Sequence, residues 1–206
     1  SEEAVAKAIR GWKAAELEEA WARAGVVMPM LRSVEEFIAE PQYIEALRDL
    51  PLIEIERISD APPEPFTPNP QLPLSGVRAL GLARVIAGAG TGRALALHGA
   101  DVLNIWRPGD FESELLYATA NVGVRSALPD IAAGDGHARM QQLLAGADVF
   151  YANRRHGFLV RHGLSPAQAP AARPGIVHAT VSLHGQTGPW ADPPGVDQSA
   201  GWGSGV

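Results

Sequence analysis

The stretch "RVIAGAGTGRALALHGADVLNIWRPGD", Arg84 to Asp110, decides how the second half of the chain folds. It follows an apolar run, "VRALGLA" (77–83), and places Gly88, Gly90 and Gly92 where a strand would turn into a helix. A dinucleotide-binding fingerprint needs G-x-G-x-x-G at that turn and a carboxylate at the end of the next strand for the ribose hydroxyls. Gly88 and Gly90 meet the first two requirements, but Arg93 stands at the third. The second apolar run ends Ile105-Trp106-Arg107, with no carboxylate. This pattern argues against a nicotinamide-dependent oxidoreductase. A guanidinium at Arg107 suits a phosphate instead, through charge-assisted and bidentate hydrogen bonds. The purely structural alternative is a tight turn whose glycines let helix and strand pack closely.

Outward from this turn the rhythm repeats. "GTGRALALHG" reads as a helix and "ADVLNIW" as a strand. "GHARMQQLLAGA" follows as a helix, "DVFYAN" as a strand, "PAQAPAAR" as a short helix and "IVHATVSL" as a strand. Strands alternating with helices predict parallel βαβ units, and nearly continuous apolar runs predict strands buried on both faces. The expected fold is α/β, a doubly wound Rossmann-like parallel sheet, with function in the loops at the carboxyl ends of the strands.

Upstream, "APPEPFTPNPQLP" (61–73) holds six prolines in thirteen residues. That density excludes a helix or a central strand and reads as an extended connector. Residues 1–60 are expected to form a small, mostly helical segment. "AAELEEAWARAG" puts Leu17, Ala20, Trp21 and Ala24 on one face with Gly25 as C-terminal cap. Ser33 and Glu36 are spaced as a capping box, "YIEALRDL" resumes helix, and "LIEIERI" (52–58) alternates like a strand. The expected organisation is thus 1–60 helical, 61–75 linker and 76–206 an α/β domain.

Composition narrows the function. The 206 residues are 46% apolar with a net charge of −6, and no Lys/Arg cluster is present, which argues against nucleic-acid binding. No cysteine is present, so disulfides and thiolate chemistry are excluded. The six histidines show no metal-ligand spacing, and neither a G-x-S-x-G elbow nor a membrane-length apolar run occurs. The expectation is a cytoplasmic protein without metal, membrane or nucleic-acid partner.

Taken in order, "PLSGVRALGLARVIAGAGTGRALALHGADVLNI", "ADVFYANRRHG", "RHGLS" and "RPGIVHATVSLHGQTGPWADPPGVDQSAG" resemble the family III coenzyme A transferases, the CaiB/BaiF group. The resemblance runs from Pro73 to the end. It implies a doubly wound domain in an interlocked homodimer that moves CoA between an acyl-CoA thioester and a carboxylic acid. "ELEEAWARAGVVMPMLRSVEEFIAEPQYIEALRDL" resembles the C-terminal portion of the same family, here placed ahead of the N-terminal portion. This order reads as the junction of a duplicated chain, with a permuted arrangement as the alternative.

Carried over by position, the resemblance implies a CoA site. The backbone of Val85, Ile86 and Ala87 would lie along the adenine, and Arg107 near the phosphates. Asn153 and Arg154 would open the next loop, and Arg161 would stand beside the nucleotide. The family's nucleophile is an Asp that attacks the acyl-CoA carbonyl to give a mixed anhydride. It falls beyond "PPGVDQSAG", so no catalytic residue is assigned within the chain, and Asp197 is not that Asp. The racemase branch of the family has a proton-moving histidine where this chain has Val196, which weakens that reading; His178 and His184 nearby are read as structural. The tail "AGWGSGV" ends mid-motif, so a partial chain or a non-catalytic CoA-binding module is the alternative to a complete transferase.

Overall fold

In the computed structural model, residues 1–107, 109 and 113–206 are described; Pro108 and Asp110, at the end of the decisive stretch, lie outside them, as do Phe111 and Glu112. Two compact units emerge, Ile55–Val181 and a second that combines Ser1–Glu54 with Ser182–Val206.

The larger unit carries the sheet. Strands β1 (Arg78–Leu82), β2 (Asp101–Ile105), β3 (Arg125–Ala127), β4 (Val149–Ala152) and β5 (Val177–Thr180) are ordered β3-β2-β1-β4-β5. Every neighbouring pair is parallel, with Gly81 opposite Asn104 on one side and Tyr151 on the other. The four expected strands are present, and β3 extends the sheet by one more. Its three residues, Arg-Ser-Ala, are too short and too polar to carry a period.

Between the strands run α4 (Ala87–Leu97), α5 (Glu114–Ala120), α6 (Gly136–Ala145), α7 (His156–Arg161) and α8 (Ala169–Ala172). The alternation of β1 sends its residues to two different cores. Leu80 and Leu82 join Ile105, Phe150, Met140, Leu144 and Leu159 on one face. Ala79 and Ala83 join Val102 and Tyr151 on the other, where Leu95 and Ala96 of α4 cover them. Two buried faces make this a doubly wound α/β sheet, as its apolar strands imply.

The β1 residues facing α4 are small, and one large side chain fills the space they leave. A Cβ at Gly81 of β1 or at Gly92 of α4 would run into the Tyr151 phenol. Tyr151 is 2% exposed, its hydroxyl has no hydrogen-bond partner among the described residues, and burial pushes the phenol far above its ordinary range.

The proline strip belongs to this unit rather than standing apart from it. Glu64 pairs with Arg173 at 3.3 Å, and a Cβ at Gly175 would lie 3.0 Å from Pro63 Cα. Arg173 also binds Asp148 (2.8 Å), whose other oxygen accepts the Arg78 N–H at the start of β1. Just before the strip, "LIEIERI" forms no strand. Leu52, Ile53 and Ile55 are exposed, and only Ile58 reaches the core. Alternation supplies an apolar face, but a strand also needs a neighbour to take its N–H and C=O groups.

The second unit holds α1 (Glu2–Ile9), α2 (Ala14–Arg23), α3 (Val34–Ile38), a π-helical turn over Tyr43–Leu47 and α9 (Asp197–Ser204). The Ser33/Glu36 capping box forms, and Gly25 takes φ +72 after α2. "YIEALRDL" gives the π-turn in place of a regular helix. Two buried polar side chains join the stretches. Gln42, fully buried, donates from Nε2 to the carbonyls of His184 (2.6 Å) and Thr187 (2.9 Å), and its Oε1 accepts the Trp190 N–H at 2.8 Å. Arg32 is clamped by Glu18 and Glu40 and lies 4.9 Å over the Trp190 ring. Burial of Glu18 works to raise its pKa, but the hydrogen bonds from Arg32 and the Met30 N–H hold it below 4.5.

Three outcomes are expected. Gln42→Ala strands three backbone groups and should lower stability by about 3 kcal/mol in denaturant melts. Tyr151→Phe removes a hydroxyl that has no partner, and it should leave stability unchanged or raise it by about 1 kcal/mol. A depressed carboxylate contributes stability above its unfolded pKa and loses it as the pH falls through its folded pKa. Glu18→Gln should therefore melt below the wild type at neutral pH, with the gap closing below about pH 4.5 in thermal scans.

Candidate functional site

Because all the ladders are parallel, β1, β2 and β4 end on the same edge of the sheet. Chain order reverses between β1 and β4, and in open α/β sheets such a switch point, at the carboxyl ends of the strands, is where ligands bind.

The backbone ladder of β1 stops at Leu82, and two asparagine side chains continue it. Asn104 of β2, fully buried, accepts the Ala83 N–H on Oδ1 (3.1 Å) and donates from Nδ2 to the Ala83 carbonyl (2.9 Å). Asn153, the first residue past β4, does the same to Arg84, at 2.9 and 2.8 Å. The next residue, Val85, has φ +58. A β-branched residue in the left-handed region costs about 1–2 kcal/mol. Ile86 then caps α4, and Ala87 is its first residue. Val85, Ile86 and Ala87 are all exposed, so the turn lies at the surface.

This geometry explains the glycines of the turn. A Cβ at Gly88 would lie 2.7 Å from Asn153 Cγ and 2.8 Å from Ala83 Cβ, so Gly88 makes room for the asparagine. Gly92, one turn on, makes room for Tyr151, whereas Gly90 faces open space. The spacing serves helix-on-sheet packing, which is why a dinucleotide pattern fits it only in part. The carboxylate position of such a fold is taken by Trp106. Its indole is 5% exposed and packs edge-on against Tyr117 at 5.3 Å.

The remaining expected site residues fall as follows. Arg107 is exposed two residues past β2, and Arg154 follows Asn153, its guanidinium carbon 5.9 Å from the Phe158 ring. Val85 to Ala87, Arg107, Asn153 and Arg154 thus all leave strand ends on one edge. Arg161 is the last residue of α7, carried roughly 7 Å of helical rise from its first residue. The family resemblance assigns no role to Asn104, yet "VLNIW" carries the signal: a lone amide inside an apolar strand must find partners.

The histidines are placed structurally. His178 of β5 donates from Nε2 to the Leu164 carbonyl at 2.9 Å, and burial holds its pKa below the ordinary value. His184 packs edge-on against Trp190 at 5.1 Å in the smaller unit, where burial also lowers its pKa. Among the described residues no three metal-ligating side chains cluster, and no helix is long and apolar enough to cross a membrane.

Comparison with known proteins agrees with this architecture. The family model of CoA-transferase family III matches residues 74–206. The chain is 34% identical over 148 residues to a succinate–glutarate CoA-transferase of Agrobacterium fabrum, covering 63% of this chain and 37% of that protein. An acyl-CoA transferase of Gibberella moniliformis matches 96% of the chain at 27% identity, over 36% of its own length. That alignment includes most of the stretch ahead of residue 74. A solved CAIB/BAIF family protein from Brucella suis superposes with a TM-score of 0.57 at 28% identity, covering 63% of this chain and 38% of that one. The chain thus spans less than two-fifths of the length of these relatives. The family model covers more than half of the chain, and the chain belongs to CoA-transferase family III.

Proposed function

We propose that this chain supplies the CoA-binding part of an enzyme that transfers CoA between an acyl-CoA thioester and a carboxylic acid. The observation that carries this reading is the exposed Val85–Ala87 turn at the switch point, with Arg107 beside it on the same sheet edge. CoA is a long, highly anionic ligand with a flat adenine at one end. An outward-facing turn gives the adenine a wall and backbone groups, and guanidinium groups suit its phosphates. Arg107 is the phosphate partner in this reading, with Arg154 and Arg161 further along the nucleotide. Asn153 holds the turn.

Chemistry in the family starts from a carboxylate. An Asp attacks the thioester carbonyl, forms a mixed anhydride and expels CoA thiolate, after which acyl and CoA groups are exchanged with the acceptor acid. The resemblance maps no residue of 1–206 to that Asp. The share of this chain is to hold the CoA end of the thioester and fix its approach, which turns binding energy into orientation. The Agrobacterium relative is named for succinate and glutarate, which makes dicarboxylates the first acyl pair to test. The enzyme is proposed to act as a homodimer in the cytoplasm, where CoA thioesters are used.

Thermal-shift titration tests the binding claim. CoA at a hundredfold excess over Kd should stabilise the chain by roughly 2.7 kcal/mol, and NAD should not. Arg107→Ala should weaken CoA about tenfold, the loss of one charge-assisted contact. A shift with NAD alone would overturn the reading.

A further inference from the structure

We propose that Asn104 and Asn153 are a pair of positioning residues that set the nucleotide-binding turn, acting through the backbone of Ala83 and Arg84 rather than by touching the ligand. The inference rests on the CoA reading above and deepens it.

Each amide is used in the same way. One side-chain oxygen takes a backbone N–H, and the nitrogen of the same amide returns a hydrogen bond to the carbonyl of the same residue. The two act from opposite sides of β1, on consecutive residues, at the point where the backbone ladder ends. A neighbouring strand would otherwise have to supply those bonds. Burial of an amide is costly unless it is paired, and Asn104 is fully buried in a strand whose other inward residues are apolar. An apolar residue there would pack as well but would strand both polar groups of Ala83.

The surrounding glycines point the same way. A Cβ at Gly81 would collide with the Asn104 Oδ1, and one at Gly88 would crowd the Asn153 amide. Two elements therefore give up side chains to seat the two amides. Their product is the Val85 turn. A left-handed β-branched residue persists only where its surroundings over-determine it, and residues 83 and 84, fixed from both sides, leave residue 85 no other path. Release of either amide lets the turn relax and moves Val85–Ala87 away from the position that the adenine would use.

The test compares CoA affinity, by calorimetry on the 206-residue chain, for the wild type, Asn104→Leu, Asn153→Ala, Asn153→Asp and Arg107→Ala. Asn104→Leu and Asn153→Ala should raise Kd about tenfold or more with the salt dependence of binding unchanged, whereas Arg107→Ala should flatten that dependence. Asn153→Asp carries the distinctive signature. Its carboxylate can accept from the Arg84 N–H but cannot donate to the carbonyl, so binding should be weak at neutral pH. It should recover as the pH falls and the neutral acid regains an O–H donor. Asn153 is only half-buried, so its variants keep the test open if Asn104→Leu does not fold. Hydrogen exchange at the Ala83 and Arg84 amides reports the clasp without any ligand. A Kd within twofold of wild type while those amides lose protection would overturn the proposal, as would a pH-independent defect in Asn153→Asp. If the wild type itself fails to bind CoA, the CoA reading falls. Loss of amide protection in the variants would then still uphold the clasp, and unchanged protection would overturn it.

Discussion

The end of a central parallel strand poses a problem that this fold must solve before anything else can be placed. β1 lies between β2 and β4, and its backbone must leave the sheet at the switch point without abandoning polar groups in a dry interior. The paired amides of Asn104 and Asn153 meet that demand. Everything on the carboxyl edge follows from it: the left-handed residue, the outward face of the turn, the start of α4, and the glycines that let the helix settle close to the sheet. The strain at Val85 is local, but the bonds that hold it are drawn from β2 and from the residue that follows β4.

The smaller unit relies on the same device in another setting. Gln42 is fully buried and has no apolar task; its amide holds three backbone groups of the His184–Trp190 loop. Arg32 beside it has two carboxylates and an aromatic face, the full complement that a buried guanidinium needs. Such groups add little net stability compared with well-packed apolar substitutes, but they admit only one arrangement of the chain around them. In both units side-chain amides therefore decide where loops go, and apolar packing decides how firmly the elements behind them hold.

Much of this was legible in the residues. The apolar runs at 77–83, 100–106, 148–153 and 176–183 announced buried parallel strands, and the alternating helices announced their crossovers. The capping box and Gly25 marked helix ends because they act within one turn of chain. What stayed hidden was long-range. "LIEIERI" has the period of a strand, but period does not say whether a neighbour exists. Arg125–Ala127 pairs as a strand because Leu103–Ile105 lies beside it, with no signal of its own. Asn153 reads from the resemblance as a candidate ligand contact, while its bond to Arg84, 69 residues away, cannot be read from spacing. The glycine motif departs from a dinucleotide fingerprint at Arg93, and close packing, the alternative its spacing allows, is what Gly88 and Gly92 serve. Its pattern is set by what lies beneath the helix, an asparagine and a tyrosine, and a phosphate loop imposes a similar spacing for a different reason.

Gly81, Gly92 and Tyr151 belong to three different elements, yet they share one volume. For a lineage that drifts by single substitutions, this imposes an order of events. Neither glycine can gain a side chain while the tyrosine is in place, and a smaller residue at 151 opens a void until a glycine changes. The three positions are thus bound to one another historically as well as sterically. Descendants of this chain should keep the set whole or exchange it through an intermediate with a smaller residue at 151, and the fold tolerates that intermediate only while the rest of the α4 face stays tightly packed.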